Sequence, residues 1–373
     1  MKIGVLGAGQ LGRMLAQAGA PLGMSFRFLT PSPETCVQGL GECMHGDLND
    51  KKLLDVFAQQ LDAVTFEWEN VPLNTIEHLA RHLPVRPGAN SLQCAQDRIR
   101  EKQFFRECGL LVQAFAPVDA ARDFQAALHA VSLPAMLKTR RMGYDGKGQA
   151  KILSREALAP AFQALGSVPC ILEALVPFES EISLIAVRAL DAAHHQDIRF
   201  WSACRNQHRD GILDRTIAPA SGIPDSAIHR AHEGVRALLE RLGHEGVLCV
   251  EFFLCRGELI ANEMAPRVHN SGHWTIEGAR TSQFENHLRA MARMPLGSTE
   301  SLAVSVMQNL VGDIATPDAP LPAGTHLHLY GKTPRAERKL GHLTSVAQHE
   351  SIALSQADVA FAALRGQLAS ERG

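Results

Sequence analysis

None of the eight cysteines, at positions 36, 43, 94, 108, 170, 204, 249 and 255, forms a CxxC pair with another. That spacing gives neither a zinc-ligand pattern nor a disulfide framework. Several sit in apolar runs, Cys170 in PCILEALV and Cys249 in VLCVEFF, where a buried free thiol is the expected state. An excess of one charge is missing too. The formal net charge is -2, and no stretch gathers a block of like charges. This argues against a general attraction to nucleic acid or to an anionic membrane, and leaves room for a local basic pocket. No apolar stretch reaches the roughly 18 residues that would span a bilayer. The opening MKIGVLG has no basic segment ahead of a cleavable apolar one. A reducing cytoplasm is the expected setting. There is no GxxxxGK[ST], so the chain is not a P-loop NTPase, and no internal repeat.

What is present fits a folded chain of more than one core. Its 373 residues, 46% apolar and 20% charged, exceed what one ordinary core organises, so two or three domains are expected. The first hundred residues alternate strands (Lys2–Leu6, 26–29, Ala63–Phe66) with helical patterns (10–22, 51–61, 73–83). That order implies a parallel, doubly wound sheet. A long helical pattern over 91–108 leads out of it. A second region opens near Val112, with strands at 134–139, 151–153 and 170–176 and a helix at 156–165. Between the first two of those strands lies a glycine-rich loop, 143–148. Longer strands follow from Glu181 to Arg267, including a hairpin of 247–254 and 258–264 turned at Arg256-Gly257. Strands at Thr325–Leu329 and 343–346 and a helical pattern from Ser355 complete the chain.

Gly7-Ala8-Gly9-Gln10-Leu11-Gly12 follows a strand and opens a helix, as a dinucleotide-binding turn does. Such sites also place an acid at the end of the second strand to hold ribose hydroxyls. Here that strand ends Phe28-Leu29-Thr30-Pro31, and the first acid is Glu34, beyond two prolines. The turn therefore binds phosphate or is purely structural. The adenosine half of an NAD site is unsupported.

The stronger signal lies in the middle. Lys138 ends a strand, and Gly143-Tyr144-Asp145-Gly146-Lys147-Gly148-Gln149 follows shortly after. Three glycines bracketed by lysines can lay backbone N–H groups against phosphate oxygens. Glu251 lies on one strand of the hairpin and Glu263, beside Asn262, on the other. Two carboxylates on adjacent apolar strands repel unless a cation sits between them, and magnesium carrying substrate phosphates would satisfy that need. The other reading is a pair of solvated glutamates, which the company of Val250, Phe252, Phe253, Ile260 and Met264 disfavours. Ala265-Pro266-Arg267-Val268-His269-Asn270-Ser271-Gly272-His273-Trp274-Thr275 suits a loop that reads a polar ligand. His269 and His273 are four apart, yet Asn270, Ser271 and Gly272 between them are poor helix formers for a zinc helix.

These residues resemble the ATP-grasp superfamily and, within it, the N5-carboxyaminoimidazole ribonucleotide synthetases of purine biosynthesis. The resemblance runs nearly end to end. It includes GAGQLGRM (7–14), FEWENV (66–71), DRIREK (97–102), QHRDGIL (207–213), HNSGHWT (269–275), QFENHLRA (283–290) and HLYGKTPRAERKLGHLT (328–344). It implies an α/β and α+β chain. An N-terminal doubly wound parallel-sheet (Rossmann-like) domain would cover 1–98. An ATP-grasp domain would cover 99–310, with a lid at about 112–178, and a small C-terminal β-rich domain 311–373.

The activity implied is the ATP-dependent joining of bicarbonate to the amine of 5-aminoimidazole ribonucleotide, through carboxyphosphate, by a homodimer. By resemblance Arg98, Lys138 and the segment Gly143, Tyr144, Asp145, Gly146, Lys147, Gly148 and Gln149 hold ATP phosphates. Glu173, Ala174, Leu175 and Val176 would border the adenine and Glu181 the ribose. Asn262 and Glu263 would complete the nucleotide site, with Glu251 and Glu263 on magnesium. His208 falls at a nucleotide-site position of the family, although by itself it reads equally as a loop histidine. Arg267 is the candidate for stabilising carboxyphosphate, because its planar fork matches an oxyanion. Tyr144, Asp145 and Glu67 are further candidates on the bicarbonate and amine side. Gln10, His269, Asn270, Ser271, Lys332 and Arg338 would take the ribonucleotide. Two residues depart from the family pattern, Met142 before the glycine loop and Glu337 in the basic loop. Glu337 either weakens the phosphate site or points to solvent. Three other activities compete: a formate- or amino-acid-dependent ligase, an NAD(P) oxidoreductase resting on GAGQLG alone, and a nucleotide-binding protein without catalysis.

Overall fold

The computed structural model describes residues 1–143, 148–314 and 320–371. Among them no helix is long and apolar enough to cross a membrane. The apolar run KIGVL forms β1 (Lys2–Leu6), followed by α1 (Gln10–Gly19), β2 (Ser25–Thr30), β3 (Glu42–His45), α2 (Lys51–Ala58), β4 (Ala63–Phe66) and α3 (Leu73–Leu79). These strands pair in parallel in the order β3-β2-β1-β4. The near-continuous apolar character of β1 and β4 follows from burial on both faces. Asp50 starts α2 by accepting from the backbone N–H of Lys52 at 2.9 Å.

The helix expected over 91–108 is two helices, α4 (Ala89–Ala95) and α5 (Arg98–Glu107). Asp97 is the reason. Its carboxylate caps α5, accepting from the N–H of Ile99 at 3.1 Å and of Arg100 at 3.4 Å, so the chain breaks just before it. Periodicity alone runs through such a cap. The unit that follows, where a lid is expected, holds β5 (Phe115–Val118), α6 (Phe124–Ala130), β6 (Ala135–Thr139), β7 (Gln149–Ile152), α7 (Leu158–Ala164) and β8 (Cys170–Ala174). Its antiparallel sheet has the order β5-β8-β6-β7, over a core of its own that includes Val118, Leu137, Ile152, Phe162 and Leu172.

Among the described residues the largest sheet has nine antiparallel strands. It contains β9 (Ser180–Leu190), β10 (Gln196–Phe200), β11 (Cys204–Arg209) and β12 (Ile212–Ala218), then, after α8 (Asp225–Leu242), β13 (Gly246–Cys255) and β14 (Glu258–Ala265). After α9 (Thr275–Gly278) and α10 (Gln283–Met291) come β15 (Val304–Val311), β16 (Thr325–Leu329) and β17 (Lys339–Ala347), with α11 (Glu350–Glu371) behind them. The order is β14-β13-β9-β11-β12-β15-β17-β16, with β10 on the side of β9. The three C-terminal strands thus extend the same sheet as the hairpin. β17 is longer than the 343–346 read from sequence and starts within the basic segment, at Lys339. α11 starts five residues ahead of the expected Ser355.

One core runs unbroken from Ile3 and Val5 of the N-terminal sheet and Leu15 of α1 to Val187, Val247, Trp274 and Leu288 of the central region. The close packing of α1 on α10 shows at Gly19, where an added Cβ would lie 3.1 Å from Leu288. This packing, and no covalent feature, aims the first helix at the hairpin.

Candidate active site

A cavity of about 410 Å³ opens where the parallel sheet, the lid and the central sheet meet. Among the expected site residues, Gln10, Glu67, Arg98, Gly143, His208, Glu251, Glu263, Arg267, His269, Asn270 and Lys332 line it. They come from positions 10 to 332 of the chain, and the folding of three sheets together brings them within reach. Tyr144, Asp145, Gly146 and Lys147 lie outside the described residues.

The glutamate pair is set by the hairpin register. Glu251 of β13 stands opposite Glu263 of β14, and the next pair is Phe252 with Ala261. Asn262 is therefore the extra residue of a β-bulge, so Asn262 and Glu263 together oppose a single partner. The Oδ1 of Asn262 is buried and has no hydrogen-bond partner among the described residues. Glu263 is bridged by Arg98, Nη1 to Oε2 at 2.7 Å. Burial resists its charge, but Arg98 and Lys138 outweigh burial and hold its carboxyl below the usual range. Glu251 is pushed the other way, by burial first and then by the charge of Glu263, and His269 Nε2 lies 3.3 Å from it. Two carboxylates in one site with opposite shifts, beside an orphaned amide oxygen, form an oxygen-donor set suited to a hard divalent cation.

A second bulge, between Gln207 and His208 against β12, re-aims His208. Its Nδ1 meets the carboxylate of Glu181 on β9. Burial lowers and Glu181 raises the imidazole pKa, and Glu181 prevails.

Lys138 Nζ sits 2.7 Å from Glu173 Oε2. The Glu173 side chain is buried and does not face the cavity. The strand expected over 170–176 ends at Ala174, where the N–H groups of Ala174 and Leu175 donate to Ala114 O and Pro134 O. Val176 follows as a partly exposed linker residue. Gly148 requires its glycine: its φ is +72°, and a Cβ would lie 2.8 Å from Thr139 Oγ1. Gln149 is exposed and paired in register with Lys138.

The GAGQLG turn has an occupant from its own chain. The carboxylate of Glu67 accepts the N–H of Gly9 and, at 2.6 Å, that of Gly12. A carboxylate here satisfies the free donors of the α1 N-terminus and its dipole, and burial raises its pKa. The space a dinucleotide phosphate would need is filled, which agrees with rejecting NAD. Gln10, next along, bonds the ammonium of Lys332.

Arg267 is held by Glu69, with Nε 2.6 Å and Nη2 2.5 Å from Oε2, while Nη1 donates to Val268 O at 3.0 Å. His269 Nδ1 bonds Ser271 Oγ at 2.8 Å, and burial lowers its pKa to about 3, so it is a neutral imidazole. Ser271 is fully buried and does not reach the cavity. Asn270 exchanges amide hydrogen bonds with Asn309. Arg338 pairs with Glu34, the acid beyond the second strand, at 2.6 Å. Glu337 is exposed and carries a φ of +60°, a conformation that favours glycine. Among the described residues, three possible metal-ligand side chains cluster within 4.8 Å at Asp55, His78 and His82, which line neither this cavity nor the smaller one beside α1.

Sequence reasoning left Glu69 and Lys102 unassigned. Both lie in motifs already noted, FEWENV and DRIREK. The signal for Lys102 is helical: Arg98, Glu101 and Lys102 are spaced i, i+3, i+4 and share one face. Glu101 accepts from Met264 N at 2.7 Å, and burial pushes its carboxyl up to about 8.

Three family models match the chain in succession. They are the ribonucleotide synthetase preATP-grasp domain over 1–96, the ATP-grasp domain over 103–284 and the phosphoribosylaminoimidazole carboxylase C-terminal domain over 305–356. The chain is 51% identical over 346 residues to the N5-carboxyaminoimidazole ribonucleotide synthase of Pseudomonas aeruginosa, covering 92% of this chain and 94% of that one. Among solved structures it is similar to the N5-carboxyaminoimidazole ribonucleotide synthetase of Thermus thermophilus. The TM-score is 0.89 with 46% identity, covering 97% and 98% of the two chains. It is also similar to the Aspergillus clavatus N5-carboxyaminoimidazole synthase in complex with ADP and 5-aminoimidazole ribonucleotide. There the TM-score is 0.86 with 26% identity, over 97% and 98%.

Proposed function

This chain belongs to the N5-carboxyaminoimidazole ribonucleotide synthase family, and we propose that its cavity carries out that family's reaction as an ATP-dependent C–N ligase of purine biosynthesis. Bicarbonate is joined to the amine of 5-aminoimidazole ribonucleotide, and ATP is split to ADP and phosphate, through carboxyphosphate. The observation that carries this reading is convergence. A cation-ready glutamate pair, an arginine fixed by Glu69 and the cation Lys332 line one cavity between three sheets.

Arg98, Lys138 and the segment from Gly143 to Gln149 serve the ATP phosphates in this reading. Glu181 and His208 serve the ribose, and the linker after β8 the adenine edge. Glu251 and Glu263 would hold magnesium, assisted by Asn262, and the ion supplies charge neutralisation for phosphoryl transfer. Arg267 enters the reaction already oriented, so its planar donors stabilise the carboxyphosphate oxygens without reorganisation. Carboxyphosphate is short-lived in water, which gives closure of the lid its purpose. Tyr144, Asp145 and Glu67 serve the bicarbonate and amine side. Gln10, Lys332, Asn270 and Arg338 receive the ribonucleotide, and Ser271 acts through His269. No covalent nucleophile is needed, because positioning and charge stabilisation suffice.

A cytoplasmic homodimer completes the reading. All eight thiols are free, which suits a reducing compartment, and light scattering of the purified chain tests the dimer. The activity is tested by ADP release with magnesium-ATP, with and without bicarbonate and 5-aminoimidazole ribonucleotide. Turnover should need both, and indifference to either addition refutes the assignment.

A further inference from the structure

Lys102 is a lysine with no exposed surface. Its Nζ lies 3.3 Å from Glu173 Oε1, and donates to Gln113 Oε1 at 3.2 Å and to Ala261 O at 3.1 Å. Two of the ammonium's three donors are thus committed to Gln113 and Ala261, and Glu173 is held as an ion pair. Glu173 is 1% exposed, and its other oxygen, Oε2, is 2.7 Å from Lys138. One buried carboxylate thus serves two lysines of different freedom. Lys102 is wholly enclosed between α5, the lid and β14, whereas Lys138 keeps 13% of its side chain exposed.

Two lysines on one carboxylate are a costly way to fill an interior, because apolar side chains of the same volume would avoid the desolvation. The neighbouring site supplies a reason. In the reading above, Lys138 binds nucleotide phosphate, so it must leave Glu173 or share itself. A carboxylate stripped of its partner in a water-free interior would pull that lysine back.

We propose that Lys102 is a positioning residue for nucleotide binding: as the permanent counter-ion of Glu173, it frees Lys138 to exchange that carboxylate for a phosphate. Lys102 touches neither nucleotide nor substrate. It acts through Glu173, and its bond to Ala261 O fixes the lid strand relative to the strand that carries Glu263. The proposal rests on the phosphate role of Lys138.

The test is the affinity of the full chain for magnesium-ADP, by calorimetry, in wild type, K102Q, K102R and K102Q/E173Q. K102Q should bind about tenfold or more weakly, because Lys138 is then the remaining partner of Glu173. K102R, which keeps the charge, should stay within about threefold of wild type. K102Q/E173Q should recover most of the loss, since removing the carboxylate releases Lys138. Simple damage to packing predicts the opposite, a double variant at least as weak as K102Q. Wild-type affinity in K102Q, or no recovery in the double variant, overturns the proposal. If K102Q does not fold, the double variant decides alone, since it leaves neither residue charged. A loss of about tenfold there is then the refuting result. If wild type itself binds no nucleotide, the functional reading fails. If wild type and K102Q bind equally, the role of Lys102 alone fails.

Discussion

Glu251 and Glu263 face each other directly across the β13–β14 hairpin, and the residue between Glu263 and the next register pair, Asn262, is bulged. A regular hairpin would send consecutive residues to opposite faces. The bulge lets Asn262 and Glu263 share the partner Glu251, and that is the arrangement a cation needs. Glu263→Gln should therefore lower turnover by about a hundredfold or more, with the fold retained. Near-normal ADP release at saturating magnesium would remove the metal assignment.

Arg267→Lys keeps the charge and loses the fork that Glu69 grips through two nitrogens. Its kcat should fall by about a hundredfold or more, since an oriented donor to a developing oxyanion is lost. The KM for ATP should change by less than about threefold. A rise in that KM with unchanged kcat would reassign Arg267 to nucleotide binding.

Lys332 bonds Gln10 across 322 residues of chain and lines the cavity from the C-terminal side. Lys332→Met should raise the KM for the ribonucleotide by about tenfold to a hundredfold, the worth of one charged hydrogen bond. The KM for ATP should hold. If both rise together, Lys332 shapes the cavity and does not read the substrate.

Glu67 has a structural duty in addition to any chemical one. Glu67→Ala strips Gly9 and Gly12 of their acceptor and should cost about 1 to 2 kcal/mol of stability, the cost of partly buried donors left unpaired. Urea denaturation of the variant measures it. An unchanged midpoint would mean that water replaces the carboxylate without loss.

The acid limb of stability should carry the mark of Glu173. Burial resists its charge, yet Lys102 and Lys138 outweigh burial and bring its pKa down to about 2 from an ordinary 4.5. A folded value below the unfolded one means that its contribution is complete above pH 4.5. It is lost as pH falls toward 2, roughly 3 kcal/mol in all. Denaturation curves of wild type and Glu173→Gln between pH 2 and 6 should differ in slope, the variant being flatter. Parallel slopes would show that Glu173 is not held ionised by its lysines.

Much of this was legible in the sequence because it depends on local chemistry. β1 and β4 fall at the bounds their apolar runs give, and β16 at the bounds read from its sequence. The missing acid after Leu29 argued against NAD without coordinates, because a dinucleotide site of this type takes its ribose ligand from the end of the second strand. Glu251 and Glu263 stood out as carboxylates in apolar company, Lys138 as a cation beside the glycine loop, and Arg267 through the family resemblance. The helix expected over 91–108 was misjudged where the cap of Asp97 competes with periodicity, and the true length of β17 escaped because a basic segment does not read as a strand.

What the sequence determined, then, is which chemical groups are present and which cofactor class they suit. These follow from residue type and spacing along one strand or helix face. The tertiary structure decided their partners. Glu67 fills the glycine turn, Glu69 aims Arg267, Lys102 underlies Glu173, and Gln10 meets Lys332. Each pairing joins residues far apart in the chain through sheet packing, and no local spacing encodes it. The charge state of a carboxylate follows the same rule. Glu251 and Glu263 are the same residue type on the same hairpin, and their opposite shifts arise because Arg98, from another element, reaches only one of them.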